Sequence, residues 1–198
     1  MRHTRRHLIF LVGFGLPLLS LAGDADAQFA GALRGEYNLT VKRHCALAPT
    51  FDANFVPSAP GSDFDVVLRG TTTYDGVGGG TFAGEALAVF PPASTSTPTV
   101  SRATQTCTVT YTVNADGTVN QTLNCNLAFT VGGPPPAPGQ TATLNGITLD
   151  GHLGLDGTVL LINDTSPSVE TFTSTSGTST GFTTQRVCNA TGTATSRR

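Results

Sequence analysis

The sequence predicts an all-β domain, an eight-stranded antiparallel up-and-down meander closed into a barrel, on three observations. Thr and Ser make up nearly a quarter of the chain, Gly is abundant and charged residues are only 12%. Thr suits the half-buried pleated surface and Gly punctuates turns. Apolar residues recur at every second position and no window shows a convincing 3.6-residue period, so helix is expected to be nearly absent. Short and long links alternate along the chain, which in a meander puts the tight turns at one rim and the long loops at the other. A two-sheet sandwich is the competing architecture.

The N-terminus is a basic stretch, Met1 to His7, followed by an apolar run from Leu8 to Leu21 and a small-x-small site at Ala25-Asp26-Ala27. That pattern is a cleaved signal peptide over residues 1–27, leaving a single domain at 28–198. The run is shorter than the roughly 20 apolar residues a spanning helix needs and carries Gly13, Gly15 and Pro17, so no membrane span is expected in the mature form. Arg5-Arg6 also matches a twin-arginine export signal, and the Sec and twin-arginine routes stay open. No cysteine follows the run to take a lipid anchor. The mature chain holds eight basic and eleven acidic residues without a basic cluster, which argues against nucleic acid.

The first strand spans Leu33 to Cys45, with Leu33, Gly35, Tyr37, Leu39, Val41, Arg43 and Cys45 on one face. The second and third span Phe64–Tyr74 and Thr81–Phe90. The fourth and fifth are the sharpest: Cys107 to Val113 and Val119 to Cys125 alternate perfectly around Ala115-Asp116-Gly117. A three-residue loop of this type wants Gly at its left-handed position. Its register sets Val113 against Val119, Tyr111 against Gln121, Val109 against Leu123 and Cys107 against Cys125. Leu155-Asp156-Gly157-Thr158 repeats the device between Thr141–Leu153 and Val159–Phe172, the latter interrupted by a bulge or bend at Asn163–Ser168 because Pro167 cannot donate to a ladder. Phe182–Thr191 is the eighth strand.

Four cysteines in an exported chain point to two disulfides. The hairpin register selects Cys107–Cys125, a non-hydrogen-bonded pair close enough to bridge. Cys45–Cys188 follows by elimination and makes the first and last strands neighbours, as barrel closure requires.

Catalytic signals are weak. Gly177-Thr178-Ser179-Thr180-Gly181 matches G-x-S-x-G, but Ser/Thr-rich sequence precedes Ser179 and a strand follows, without the strand–turn–helix of a nucleophile elbow. Only His44 and His152 survive signal removal; His152 with Asp150, and Asp63 with Asp65, read as solvated pairs, and no calcium loop is completed. Asn38, Asn120, Asn163 and Asn189 begin N-x-T sequons at a frequency this Thr content produces by chance. The expectation is a non-enzyme without metal or cofactor. Tyr37, Arg43, Tyr111, Gln121 and Arg186 are polar groups on otherwise inward faces, the pattern a ligand pocket requires. They are the candidate ligand-binding residues, the alternative being that the arginines reach the rim or pair with a carboxylate.

Gly35-Glu36-Tyr37 at the head of such a meander resembles the G-x-W of lipocalins, whose last strand supplies an arginine over that aromatic. This resemblance implies a lipocalin-like barrel, although pairing Cys45 with Cys188 leaves only Arg197 or Arg198 to reach Tyr37. The chain also resembles small exported proteobacterial β-proteins that share the alternation, the Asp-Gly-Thr turns and a late Arg186-Val187-Cys188, a likeness that implies no activity. The function expected is a periplasmic or extracellular barrel holding a small apolar or amphipathic ligand at its long-loop rim. A cell-surface or assembly protein, using its Pro/Thr-rich loops and the two-sided apolar run Val159–Ile162 on a protein partner, is the alternative, and a hydrolase is the remote one.

Overall fold

The computed structural model describes residues 33–92, 97–132, 137–164, 167–177 and 180–197. The leader segment, Ser179 and Arg198 lie outside the described residues. The strands are β1 (Arg34–Ala48), β2 (Ser62–Asp75), β3 (Gly79–Phe90), β4 (Thr99–Val113), β5 (Thr118–Val131), β6 (Thr141–Leu153), β7 (Val159–Asn163), β8 (Ser168–Ser174) and β9 (Thr183–Ser196). No helix occurs among the described residues. Each strand is antiparallel to its neighbours, and β9 pairs back onto β1 from Tyr37–Ser196 to Ala48–Gln185. β7 and β8 share one place between β6 and β9, so the hydrogen bonds ring through eight positions. One closed sheet therefore stands where a sandwich would have had two.

The expected seventh strand is interrupted where expected and forms two strands. β7 ends at Asn163, the Asp164 N–H still reaches the Ala190 carbonyl at 3.0 Å, and β8 begins at Ser168, after Pro167, which has no N–H to give. β4 and β5 both run further toward the long loops than the expected spans; in β4 the added inward positions are Ser101, Ala103 and Gln105, small or polar, while in β5 Leu127 and Phe129 continue the alternation. Ser101 and Gln105 keep the parity of burial while losing the hydrophobic signal.

The two Asp-Gly-Thr turns work as the spacing implies. Gly117 and Gly157 adopt φ of 83° and 68°, where a side chain would be strained. Asp116 Oδ1 accepts from both the Thr118 N–H (2.9 Å) and its hydroxyl (2.7 Å), and Asp156 receives the Thr158 N–H (3.0 Å) and hydroxyl (2.8 Å) in the same way. Bonds to backbone and hydroxyl hold the Asp116 carboxyl below the usual range. One irregularity is invisible to simple alternation. Leu144 and Ile147 both face inward because β6 bulges at Gly146, whose φ is 78° and whose N–H donates to Asn124 Oδ1 at 3.0 Å.

Both disulfides form as the register requires, Cys45–Cys188 and Cys107–Cys125, and both lie inside the ring. In the chain-entropy picture the bond spanning 143 residues contributes about 5 kcal/mol and the one spanning 18 about 3. Replacing each pair by Ser is expected to lower stability in that order in equilibrium urea unfolding; equal losses would show that loop length does not govern.

Candidate ligand-binding site

The interior is layered, and the layering follows which aromatic residues stand beside which links. Phenylalanines flank the long loops: Phe64 opens β2, Phe90 closes β3, Phe129 lies near the end of β5, and Phe172 and Phe182 bracket the β8–β9 link. Phe64 stacks on Phe90 with centroids 4.8 Å apart, and Phe129 meets Phe172 edge-on at 6.3 Å. Between these pairs the inward cross-strand partners are small. Ala86 opposes Ala103, and Ala88 opposes Ser101. Close-packed interiors tolerate few such gaps, and the shortfall leaves a cavity of about 170 Å³ at the long-loop end. Leu47, Val66 and Leu127 complete its apolar wall, Phe182 stands 54% exposed at its edge, and Ser101, Thr184 and Arg186 are its polar lining.

Beneath the cavity lies a charged layer. Glu170, wholly buried on β8, stands directly across the ladder from Arg186 on β9. Its Oε2 accepts from Arg186 Nε at 2.6 Å and from Arg43 Nη1 at 3.2 Å, while Oε1 accepts from Arg43 Nη2. Burial pushes the Glu170 carboxyl up, but the two guanidiniums outweigh it and hold the group below its ordinary range. Arg43 is 4% exposed and its buried Nε has no acceptor among the described residues. Asp164, just past β7, accepts the Asp150 N–H at 3.0 Å; burial raises its carboxyl to about 6 against the pull of that bond and of Arg43.

The tight-turn end is sealed by different chemistry. Tyr37, Tyr74 and Tyr111 meet edge-on, with centroids 5.4 and 5.2 Å apart. Tyr37 donates to the Gly157 carbonyl, Tyr74 to Gln121 Oε1 at 2.6 Å and Tyr111 to the Leu33 carbonyl at 2.9 Å. Burial pushes all three phenols up, so they remain neutral donors. Among the five residues singled out from sequence, Arg43 and Arg186 are thus joined through Glu170. Tyr37, Tyr111 and Gln121 are joined through Tyr74 at the other end of the interior, and only Arg186 lines the cavity.

Sequence reasoning passed over the phenylalanine wall and Glu170. A signal existed for the first: Phe beside long links and Tyr beside short ones. For Glu170 the only signal is its sharing parity with Phe172 on the short strand after Pro167. The other polar candidates face outward. His44 contacts Asp65 at 2.9 Å on the exposed surface, and His152 is exposed on β6. No group of three potential metal ligands occurs among the described residues. Comparison with protein-family models, curated proteins and solved structures returns no match, which leaves the geometry of the site as the guide to function.

Glu170→Gln strands two buried guanidiniums without a full counter-charge, and a loss of about 3–5 kcal/mol is expected in chemical unfolding at pH 7. Asp164 behaves oppositely. A carboxyl that ionises near 6 in the folded chain and near 3.9 unfolded costs stability once the pH exceeds both values, and costs none when protonated in both states. Asp164→Asn is therefore expected to be the more stable protein at pH 7.5, by about 1 kcal/mol after solvent screening, with the gain shrinking as pH falls toward 4. Unfolding curves at the two pH values check both magnitude and sign.

Proposed function

We propose that this protein is an exported, non-enzymatic binding module that holds a small apolar ligand in the cavity at its long-loop end. The cavity itself carries the reading. Its volume of about 170 Å³ exceeds that of several waters and is comparable to an engineered apolar cavity of roughly 150 Å³ that stays dry and takes up benzene. A wall of aromatic and aliphatic side chains with a few placed polar groups is the usual make-up of a ligand site. Among the described residues no His, Asp or Glu is part of the lining, which supports binding rather than general acid–base chemistry. Two disulfides suit an oxidising environment, and with the leader segment they support a periplasmic or extracellular location.

A second reading, contact with a protein partner, draws on the outer face. Val89 and Val100 are cross-strand partners, 37% and 41% exposed, and Leu161 of the Val159–Ile162 run is 56% exposed while Leu160 and Ile162 turn inward. Sedimentation that stays monomeric at high concentration removes self-assembly from that reading.

Calorimetric titration with toluene, indole and cyclohexane tests the main proposal. Saturable binding with a negative heat-capacity change is expected for at least one. Ala88→Leu, which fills the space opposite Ser101, is expected to weaken that binding at least tenfold while leaving the melting temperature unchanged or higher. Binding that ignores the substitution, or no binding at all, refutes the cavity as the site.

A further inference from the structure

The cavity has one wall that is not apolar, and the only charged group on it among the described residues is the Arg186 guanidinium. Arg186 spends its Nε on Glu170, but Nη1 and Nη2 have no acceptor among the described residues, and the side chain lines the cavity while only 12% exposed. Glu170 has little left to offer, because both oxygens already accept from guanidinium nitrogens. The sharing is also uneven. Arg43 is compensated by Glu170 and, electrostatically, by Asp164, whereas Glu170 alone counters the Arg186 charge. Ser101 and Thr184, both buried, add hydroxyls to the same lining, and no carboxylate joins it.

A guanidinium whose outer nitrogens lack an acceptor, beside a largely apolar cavity, is a fork-shaped site for a carboxylate, since two parallel N–H donors match two oxygens and the apolar surroundings strengthen the pair. We infer that the ligand is a small amphipathic monocarboxylate, its apolar body among Phe64, Phe90, Phe129 and Phe172 and its carboxylate on the outer nitrogens of Arg186. The inference rests on the ligand-binding reading above and narrows it to a chemical class. The volume sets the scale at one aromatic ring or a short aliphatic chain. An amine of the same shape meets a like charge, and a neutral analogue gains only the apolar contact.

The experiment is calorimetric titration of the disulfide-intact protein at pH 7.5 with benzoate, benzyl alcohol, benzylamine and toluene. Benzoate is expected to bind at least tenfold more tightly than benzyl alcohol, and benzylamine more weakly than either. Arg186→Met keeps an apolar stem of similar length and is expected to lower benzoate affinity at least tenfold while changing that of benzyl alcohol less than threefold. Arg186→Lys, a point charge without the fork, is expected to restore only part of the preference. If Arg186→Met does not fold, the ranking of ligands on the unmodified protein decides alone. Toluene or benzyl alcohol binding as well as benzoate overturns the carboxylate assignment and leaves the apolar cavity standing. Failure of all four ligands overturns both.

Discussion

The pairing of β1 with β9 is the constraint on which the rest depends. A meander of this length left open would present two long edges with unpaired N–H and C=O groups. Closure removes both, and it brings together residues that are remote in the chain: Arg43 with Glu170, Tyr37 with the Gly157 carbonyl, and Phe64 into the same cluster as Cys188. The Cys45–Cys188 bond sits within that seam, at the level where apolar packing gives way to the charged layer and the cavity. It holds the ring closed inside the apolar cluster of Phe64 and Val66 that borders the cavity.

The charged layer is expensive for what it contributes to stability. Two arginines and a glutamate taken from water recover their solvation only through close, mutual hydrogen bonds, and an apolar trio of similar volume is often as stable or more so. Its position gives it another meaning. On one side of it stands the aromatic-lined cavity; on the other the core is filled by Leu39, Val41, Val109, Leu123, Ile147, Leu160 and Ile162. The layer reaches the cavity through Arg186, and its bond from Nε to Glu170 orients that guanidinium.

Much of the framework was legible because strand geometry is written with period two. Alternation around two Asp-Gly-Thr turns was enough to set the β4–β5 register residue for residue, and the register then selected both disulfides. The start of β4 escaped because Ser101 and Gln105 face inward without being hydrophobic and Ala103 between them is small; the end of β5 continues its alternation through Leu127 and Phe129. The bulge at Gly146 escaped because it costs one residue of phase, which alternation over short runs does not resolve. The site was harder to read than the fold. Inward polar residues were correctly placed on the inner face, but parity along a strand says nothing about height within a barrel. The disulfide register did set Arg186 far from Tyr37, but which of the inward polar residues border a cavity was not legible, and Glu170 was hidden behind the break at Pro167.

The three interlocked tyrosines change what kind of container the ring is. A ring of eight strands open at both ends would be a short pore, with traffic in either direction. Here the phenols, Leu33 and Gln121 stopper one end with hydrogen bonds to the turn backbone and to each other. The interior is a blind cup. On the binding reading proposed above, a ligand that enters past Phe182 leaves by the same side, so its residence time is set there and a first guest excludes a second.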